Sequence, residues 1–331
     1  MTSDGSGHDG QAAWRRQRAE RIAQASPELS DGNIEAMFGL FAAAHRELGY
    51  EAPVLTRDVA YGPDPRHRLD VHSATGPGGT RPGGATRADA APAAGPVPVL
   101  VYVHGGGFVG GDKHSPDSPY YDHIGAWAVR HGMVGVTMTY RLAPQHQWPA
   151  GAQDVGRAVA WVTENIGRYG GDQARVVVAG HSAGATHVAG YLAGHAGAPA
   201  GVTAGALLSG IYELPPEPND VQAAYFGSDT SQYPSRSPLR GLVASGIPVL
   251  FAVAQRDLSW FHHQAALALQ AVLERDGTLP PFAYVQDHNH ISEIAALGID
   301  DEPLGIPLLR FIESVTAPVT QPGSPEPAAT G

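Results

Sequence analysis

Short apolar runs alternate along most of the chain with segments whose apolar residues recur every three or four positions. In residues 151–168, for example, Val155, Val159 and Val162 fall on one face of a helix. Such alternation is typical of a parallel sheet covered by helices on both faces. We therefore expect one α/β domain with strands at 97–103, 133–139, 175–179, 204–208, 248–254 and 282–286, and helices at about 119–130, 151–168, 183–194, 259–275 and 303–315.

The residues before this alternation predict two helices and one strand. Helical periodicity covers Trp14–Gln24 and Ile34–Leu48, and we interpret 12–50 as a helical cap. Residues 68–72 alternate between apolar and polar side chains, as in a strand. Residues 211–247 interrupt the alternation of strands and helices and are rich in Pro, Tyr and Ser. This suggests a lid-like insertion beside the substrate entrance.

Three segments are too rich in Gly, Pro and Ala to bury apolar surface, and we expect them to be disordered. They are 1–11, about 75–96 and 317–331. The middle segment separates the predicted strands 68–72 and 97–103, and we interpret it as an insertion in a hairpin connection. Residues 12–316 then form a single domain.

Composition and charge narrow the classes of function. The chain has 331 residues, of which 43% are hydrophobic, so it can bury a sizeable core. Its net charge of -11 argues against nucleic acid or an anionic membrane as a partner. It has no cysteine, which excludes thiol catalysis, and no stretch reaches the roughly 20 apolar residues of a membrane span. We expect a cytoplasmic protein that binds a small uncharged molecule. The sequence also allows a homodimer.

A serine turn follows the predicted strand 175–179. The sequence GHSAG at 180–184 places Ser182 between that strand and the predicted helix 183–194, which is the context of a nucleophile elbow. Small residues at Gly180 and Gly184 suit the crowded backbone of such a turn. Because a serine hydroxyl is a weak nucleophile, it needs a histidine to take its proton and a carboxylate to orient that histidine.

The carboxylate and histidine candidates follow two later strands. Asp257 comes after strand 248–254, and His290 comes after strand 282–286, with His288 as the second choice. Weaker carboxylate candidates are Asp287 and Asp229, whereas His262 and His263 belong to a predicted helix and suit its surface or a pocket wall.

A glycine-rich loop, HGGGF at 104–108, follows strand 97–103. Glycines allow backbone N–H groups to approach a developing oxyanion, and we choose Gly106, Gly107 and Ala183 as the donors. An ordinary strand-to-helix turn is the alternative, but the loop and the serine turn occur together in the expected order. The loop lacks the Walker spacing of a phosphate site, and no His-Glu-x-x-His spacing occurs. We expect no metal and no cofactor.

These motifs resemble the α/β-hydrolase superfamily, specifically its HGGG-loop esterases related to hormone-sensitive lipase and, within them, the arylformamidase-like and small-carboxylesterase branch. The resemblance spans about residues 55–315. It implies Ser182 as nucleophile, Asp257 and His290 as its partners, and the three amides as oxyanion hole. The matching motifs are YG at 61–62, LDV at 69–71, HGGGFVGGDK at 104–113, YRLAP at 140–144, GHSAGA at 180–185, 248–257 and His290.

Two positions depart from the pattern of these esterases. His181 stands where the lipase branch commonly has Asp, which favours the formamidase-like side, and Phe108 stands where many relatives have Trp. We consider both as candidate substrate contacts. Asp154 is expected to brace the glycine loop.

The main hypothesis is therefore a serine carboxylesterase that hydrolyses small to medium esters through an acyl-enzyme. The same residues could serve an arylformamidase acting on an amide. A non-catalytic small-molecule receptor on the same fold is the rival from another class, and loss of a triad residue would be its expected mark.

Overall fold

Eight strands form one mixed sheet in the computed structural model, which describes residues 16–26, 28–77, 95–299 and 303–317. The strand order is β1-β2-β4-β3-β5-β6-β7-β8. Only the β1–β2 and β2–β4 pairs are antiparallel. The strands are β1 Val54–Ala60, β2 Arg68–Ser73, β3 Val97–Val103, β4 Val134–Met138, β5 Gly171–His181, β6 Ala204–Leu208, β7 Val249–Ala254 and β8 Phe282–Val285.

Helices lie between the strands and cover the sheet, which confirms the predicted α/β class. The N-terminal helices are α1 at 16–24 and α2 Asp31–Leu48. They are followed by α3 Asp122–Arg130, α4 Ala150–Asn165, α5 Ala183–Leu192, α6 Asp220–Phe226, α7 Tyr233–Arg236, α8 Leu239–Ser245, α9 Ser259–Asp276, α10 Ser292–Ala295 and α11 Gly305–Thr316. Among the described residues, no helix combines the length and the hydropathy that crossing a membrane requires.

Both faces of the sheet are buried, because successive side chains of a strand point to opposite sides. On β3, Val99 and Val101 join a core cluster with side chains of α4 and α5, such as Val155. Leu100 and Tyr102 join a second cluster with side chains of α3 and α11. This two-sided burial explains why the central strands are continuous apolar runs in the sequence.

The connection between β2 and β3 is not the predicted hairpin. β4 lies between them, antiparallel to β2 and parallel to β3. A crossover through α3 brings β4 back beside β3, and β2 then pairs with the other edge of β4. The strand β1, which the sequence pattern did not reveal, continues the sheet beyond β2. The predicted disordered residues 1–11, 78–94 and 318–331 lie outside the described ranges.

The segment 211–247 contains three short helices, α6, α7 and α8. Asn219 caps α6 by accepting from the Gln222 N–H at 3.0 Å, and the Gln222 side chain accepts from the Asn219 N–H at 3.0 Å. The aromatic side chains of Tyr225 and Phe226 are buried in a cluster that also contains Ala183. The insertion is therefore packed against the start of α5.

Several histidines are buried as neutral groups. Burial lowers the pKa of His187 to about 3, although the nearby Asp154 acts in the opposite direction. Burial likewise dominates at five other histidines: it lowers the pKa of His45, His72, His104 and His288 to about 4 and that of His123 well below its usual value. These groups bind protons more readily in the unfolded chain.

We predict that the free energy of unfolding decreases as the pH falls from about 6.5 toward about 4. In this window the unfolded chain binds protons that the folded chain excludes, at about 1.4 kcal/mol per pH unit for each histidine. Urea unfolding at several pH values measures the slope. His187→Leu should make the dependence shallower, because it removes a histidine whose pKa burial lowers to about 3. Equal slopes for the wild type and His187→Leu would contradict the assignment.

Candidate active site

Ser182 is the single residue that connects β5 to α5. Its backbone has φ 56° and ψ -123°, a conformation that residues with a side chain rarely adopt. The Ser182 N–H donates to the Leu208 carbonyl at the end of β6, at 2.9 Å, which ties the turn to the neighbouring strand. The predicted strand–turn–helix context is present.

Two glycines allow this turn to pass under the end of β3. A Cβ atom at Gly184 would lie 2.1 Å from the Val103 carbonyl oxygen and 2.5 Å from that of His104. A Cβ atom at Gly180 would lie 2.5 Å from the carbonyl carbon of Gly184. Neither position has room for a side chain, so the sequence requirement for glycine is steric.

The structure brings Ser182, His290 and Asp257 into one chain of contacts. Ser182 Oγ is 2.9 Å from His290 Nε2, and His290 Nδ1 is 3.0 and 3.2 Å from the two Asp257 oxygens. Because a carboxylate only accepts, Nδ1 donates to Asp257 and Nε2 can accept from the serine hydroxyl. Asp257 follows β7 and His290 follows β8, as the sequence predicted.

The surroundings of Asp257 favour its ionised form. Burial raises the pKa of this carboxyl group, but the neighbouring His290 and the Leu258 N–H, which donates at 2.9 Å, bring the pKa below its usual value. The Phe261 ring stacks on the His290 imidazole with centroids 4.2 Å apart. The imidazole is thus held at its edge by a carboxylate and on one face by an aromatic ring.

The other candidates lie elsewhere. His288 Nδ1 is 3.1 Å from Ser292 Oγ, and its ring stacks on Phe41 instead of facing the serine. Asp287 is exposed and faces Arg256, and Asp229 caps a short helical turn by accepting from the Ser231 N–H. In α9, His262 is half-buried and His263 is exposed.

The glycine loop lies directly over the serine turn. A Cβ atom at Gly105 would be 3.2 Å from Ser182 Cβ. Gly106 has φ 133° and Gly107 has φ 58°, and the hydrogen bonds of the loop use the Gly106 carbonyl as acceptor for the Val109 N–H. Within the described ranges, no hydrogen bond from the N–H of Gly106, Gly107 or Ala183 is found.

The segment after β4 supports the start of this loop. The Tyr140 hydroxyl donates to the His104 carbonyl at 2.9 Å, and the two rings stack with centroids 4.4 Å apart. The neighbouring Arg141 N–H and guanidinium both bind buried Asp154, at 2.8 Å, and His67 Nε2 lies 3.0 Å from the same carboxylate. Asp154 thus contacts the segment that holds the glycine loop, not the loop itself.

A partly buried ion-pair network holds the far end of the loop. Lys113 Nζ is 2.7 Å from Asp58 Oδ1 and 3.0 Å from Asp70 Oδ1. Arg57 joins Asp70 to Asp122 on α3, at 3.0 and 2.6 Å. The antiparallel strands β1 and β2 therefore contribute to the site by supplying these anchors.

His181 lies behind His290. Its ring is 2% exposed, and its Nε2 is 2.8 Å from the backbone carbonyl oxygen of His290. The same nitrogen is 3.4 Å from Oε1 of Glu293 on α10. The substrate contact that the sequence suggested for His181 is at odds with this placement, because the ring is enclosed by protein.

His181, His290 and Glu293 form the one group with metal-ligand spacing that we find in the described part of the chain, with ligand atoms within 4.8 Å of one another. Both ring nitrogens of His290 already contact Ser182 or Asp257. A cation could use His290 only by replacing one of these contacts, so the trio fits metal binding poorly.

Phe108 is buried next to the site. Its backbone has φ 71°, and its ring stacks on Tyr225 with centroids 4.9 Å apart and planes 5° from parallel. It shares an apolar cluster with Ala183, Ile211 and Phe261. The residue after the glycine loop therefore lies in an apolar wall beside the serine turn.

Sequence reasoning missed Glu293 and Phe261. Glu293 is three positions after His290, but a charged residue is usually exposed, and its spacing gave no sign of burial. Phe261 lies one turn into α9 and looks like any apolar helix position. Proximity to the end of strands β7 and β8 is the signal that could have identified both.

Comparison with known proteins gives similarity to esterases over part of the chain. A family model described as BD-FAE matches residues 90–200. Esterase LipI of Mycobacterium tuberculosis is 43% identical over 93 residues, which cover 28% of either chain. Carboxylesterase NlhH of the same organism is 47% identical over 90 residues, covering 27% of this chain and 26% of its own. The chain thus matches less than a third of the length of these two relatives.

Solved structures extend the similarity to the whole fold. An esterase from Pyrobaculum calidifontis has a TM-score of 0.62 at 21% identity, over 91% of this chain and 96% of its own. Esterase LipW from Mycobacterium marinum has a TM-score of 0.59 at 21% identity, over 90% and 94%. With the observed sheet order, these relatives show that the chain has the α/β-hydrolase fold.

We predict that Gly184→Ala destabilises the protein by about 2 kcal/mol or more, because its Cβ atom would overlap backbone that cannot move independently. Gly190→Ala in the same helix is the matched control, since its Cβ atom would meet only side-chain atoms at 3.4 Å. Chemical denaturation of both variants measures the difference. Similar stabilities would contradict the close approach of β3 to α5.

Proposed function

We propose that this α/β-hydrolase-fold protein is a serine carboxylesterase that hydrolyses small to medium carboxylic esters. The observation that carries the proposal is the contact chain from Ser182 through His290 to Asp257, with distances of 2.9 and 3.0 Å. The esterase names of LipI and NlhH support the choice of an ester as substrate.

In the proposed reaction, His290 Nε2 removes the proton of Ser182 while the serine oxygen attacks the carbonyl carbon of the ester. Asp257 keeps the Nδ1 proton in place and stabilises the imidazolium that forms. His290 then gives its proton to the departing alcohol. Water, which gives a proton to the same imidazole, attacks the acyl carbon of the acyl-enzyme. The bond to Ser182 Oγ then breaks, the imidazolium returns the proton to that oxygen, and the acid leaves.

The oxyanion of each tetrahedral intermediate would be bound by the N–H groups of Gly106, Gly107 and Ala183. Each such donor typically stabilises the transition state by about 3–4 kcal/mol. The positive φ angles of the two glycines support this role, because residues with a side chain rarely adopt the backbone conformation that the loop has at these positions. The ion pairs of Lys113 and the hydrogen bond of Tyr140 would keep these donors in place before substrate binds.

Two alternatives carry less support. A non-catalytic receptor would have no need of the ordered serine–histidine–carboxylate contacts. A formamidase could use the same residues, but the names of LipI and NlhH favour esters. A cytoplasmic location and a homodimer stay predictions from the sequence.

We predict that Ser182→Ala abolishes ester hydrolysis and labelling by a fluorophosphonate probe, since both require the serine oxygen. Asp257→Asn should lower kcat by about 10⁴, because an amide favours the wrong imidazole tautomer. Asp287→Asn is the matched control at an exposed carboxylate and should retain activity. Ester hydrolysis that survives in Ser182→Ala would overturn the proposal, and so would a strong preference of the wild type for N-formylkynurenine over p-nitrophenyl esters.

We propose further that Phe108 limits the length of the acyl group. Its ring is 2% exposed and packs in the apolar cluster that contains Ala183, so it would act by supporting the wall beside the serine turn. Phe108→Leu should therefore shift the preference toward longer chains in a series of p-nitrophenyl esters with two to sixteen acyl carbons. Phe251→Leu in β7, within another core cluster, controls for general loosening. An unchanged profile for Phe108→Leu in a folded protein would reject this role.

A further inference from the structure

His181 makes a bond that few other side chains could make. The His290 carbonyl oxygen only accepts hydrogen bonds, so His181 Nε2, at 2.8 Å, must be the donor. His181 is the last residue of β5 and directly precedes Ser182. One hydrogen bond therefore joins the strand that carries the serine to the loop that carries the histidine.

His181 also lies beside Glu293, a carboxyl group whose burial is energetically unfavourable. Glu293 is 1% exposed, and within the described part of the chain neither of its oxygens has a hydrogen-bond partner. Among the described residues, its one ion pair is with His181 Nε2, 3.4 Å from Oε1. Burying a carboxyl group with so little compensation opposes folding, and a hydrocarbon side chain of the same size would suit this position better. Stability alone does not explain a glutamate there.

The direction of these contacts suggests what the two residues do. A carboxyl oxygen beside Nε2 favours the imidazole tautomer with its proton on that nitrogen, which is the tautomer that can donate to the His290 carbonyl. A side chain at position 181 that only accepts hydrogen bonds could not bind that carbonyl oxygen. Histidine at 181 and glutamate at 293 therefore depend on each other.

We propose that His181 and Glu293 are a pair of positioning residues that hold the backbone of His290, so that its ring stays aligned between Ser182 and Asp257. Glu293 orients His181, and His181 fixes the His290 carbonyl. This inference rests on the proposed function, because it assigns His290 a part in the reaction. The His181 ring also packs beside the His290 imidazole, with centroids 4.7 Å apart, so the pair acts on His290 and not on the substrate.

The test compares variants that keep or remove each polar group at similar size. His181→Leu removes the donor, whereas His181→Gln keeps an N–H near the position of Nε2. Glu293→Met removes the oxygen that lies 3.4 Å from His181 Nε2, whereas Glu293→Gln keeps a carbonyl oxygen. The readouts are kcat and KM on a short-chain p-nitrophenyl ester, the rate of fluorophosphonate labelling, and Tm.

We expect His181→Leu and Glu293→Met to lower kcat by about 10- to 100-fold, with much smaller changes in KM, since displacement by less than an ångström misaligns the proton transfer. Each glutamine variant should retain more kcat than its apolar counterpart. Glu293→Met should keep or raise Tm, which a merely structural residue would not do. The kcat of the double variant His181→Leu/Glu293→Met should be close to that of His181→Leu alone, because both changes disrupt the same interaction with His290.

The proposal is overturned if the apolar variants keep the wild-type kcat, if the glutamine and apolar variants are equally impaired, or if Glu293→Met lowers Tm without affecting kcat. If His181→Leu does not fold, the two Glu293 variants decide the question. Wild type and Ser182→Ala are measured in parallel. A wild type without Ser182-dependent ester hydrolysis contradicts the proposed function, whereas normal wild-type activity with unaffected apolar variants contradicts only the pairing of His181 with Glu293.

Discussion

The site depends on one close approach between two pieces of backbone. β3 and β5 are parallel neighbours in the sheet, so their carboxyl ends reach the same edge. There the end of β3 crosses the first turn of α5 so closely that a Cβ atom at Gly184 would lie 2.1 Å from the Val103 oxygen. Because the backbones meet without intervening side chains, the glycine loop and Ser182 share one small space.

Buried carboxylates in the segments around the site, with their partners, stabilise this arrangement. Asp154, Asp70 and Asp122 are fully buried, and each is paired with an arginine: Asp70 and Asp122 with Arg57 of β1, and Asp154 with Arg141 of the segment after β4. Buried carboxylates are costly unless they are paired in this way. Glu293 is the exception in the described residues of this region, because neither of its oxygens has a hydrogen-bond partner there and its one ion pair is with His181. This contrast is why its position points to a role in aligning His290.

Much of the fold could be read from periodicity. The central strands are buried on both faces and appear as uninterrupted apolar runs, so β3 and β6 were predicted with their observed bounds. Parallel strands end at one edge, which also allowed Asp257 and His290 to be chosen by position. Periodicity gave no strand order, because adjacency in a sheet depends on crossovers. The prediction of a hairpin between β2 and β3 was therefore wrong. Strand β1, whose side chains are half-buried or exposed, was not predicted.

The sequence by itself determined the α/β class, the order of the candidate residues and the glycines that a crowded turn requires, because these follow from local periodicity and sterics. Only the tertiary structure decided that β4 separates β2 from β3, that His290 rather than His288 faces Ser182, and that His181 turns toward a buried glutamate. Those outcomes depend on contacts between residues far apart in the chain. His181 and His290 are 109 positions apart in the chain, and the packing that brings them together leaves no local pattern in the sequence.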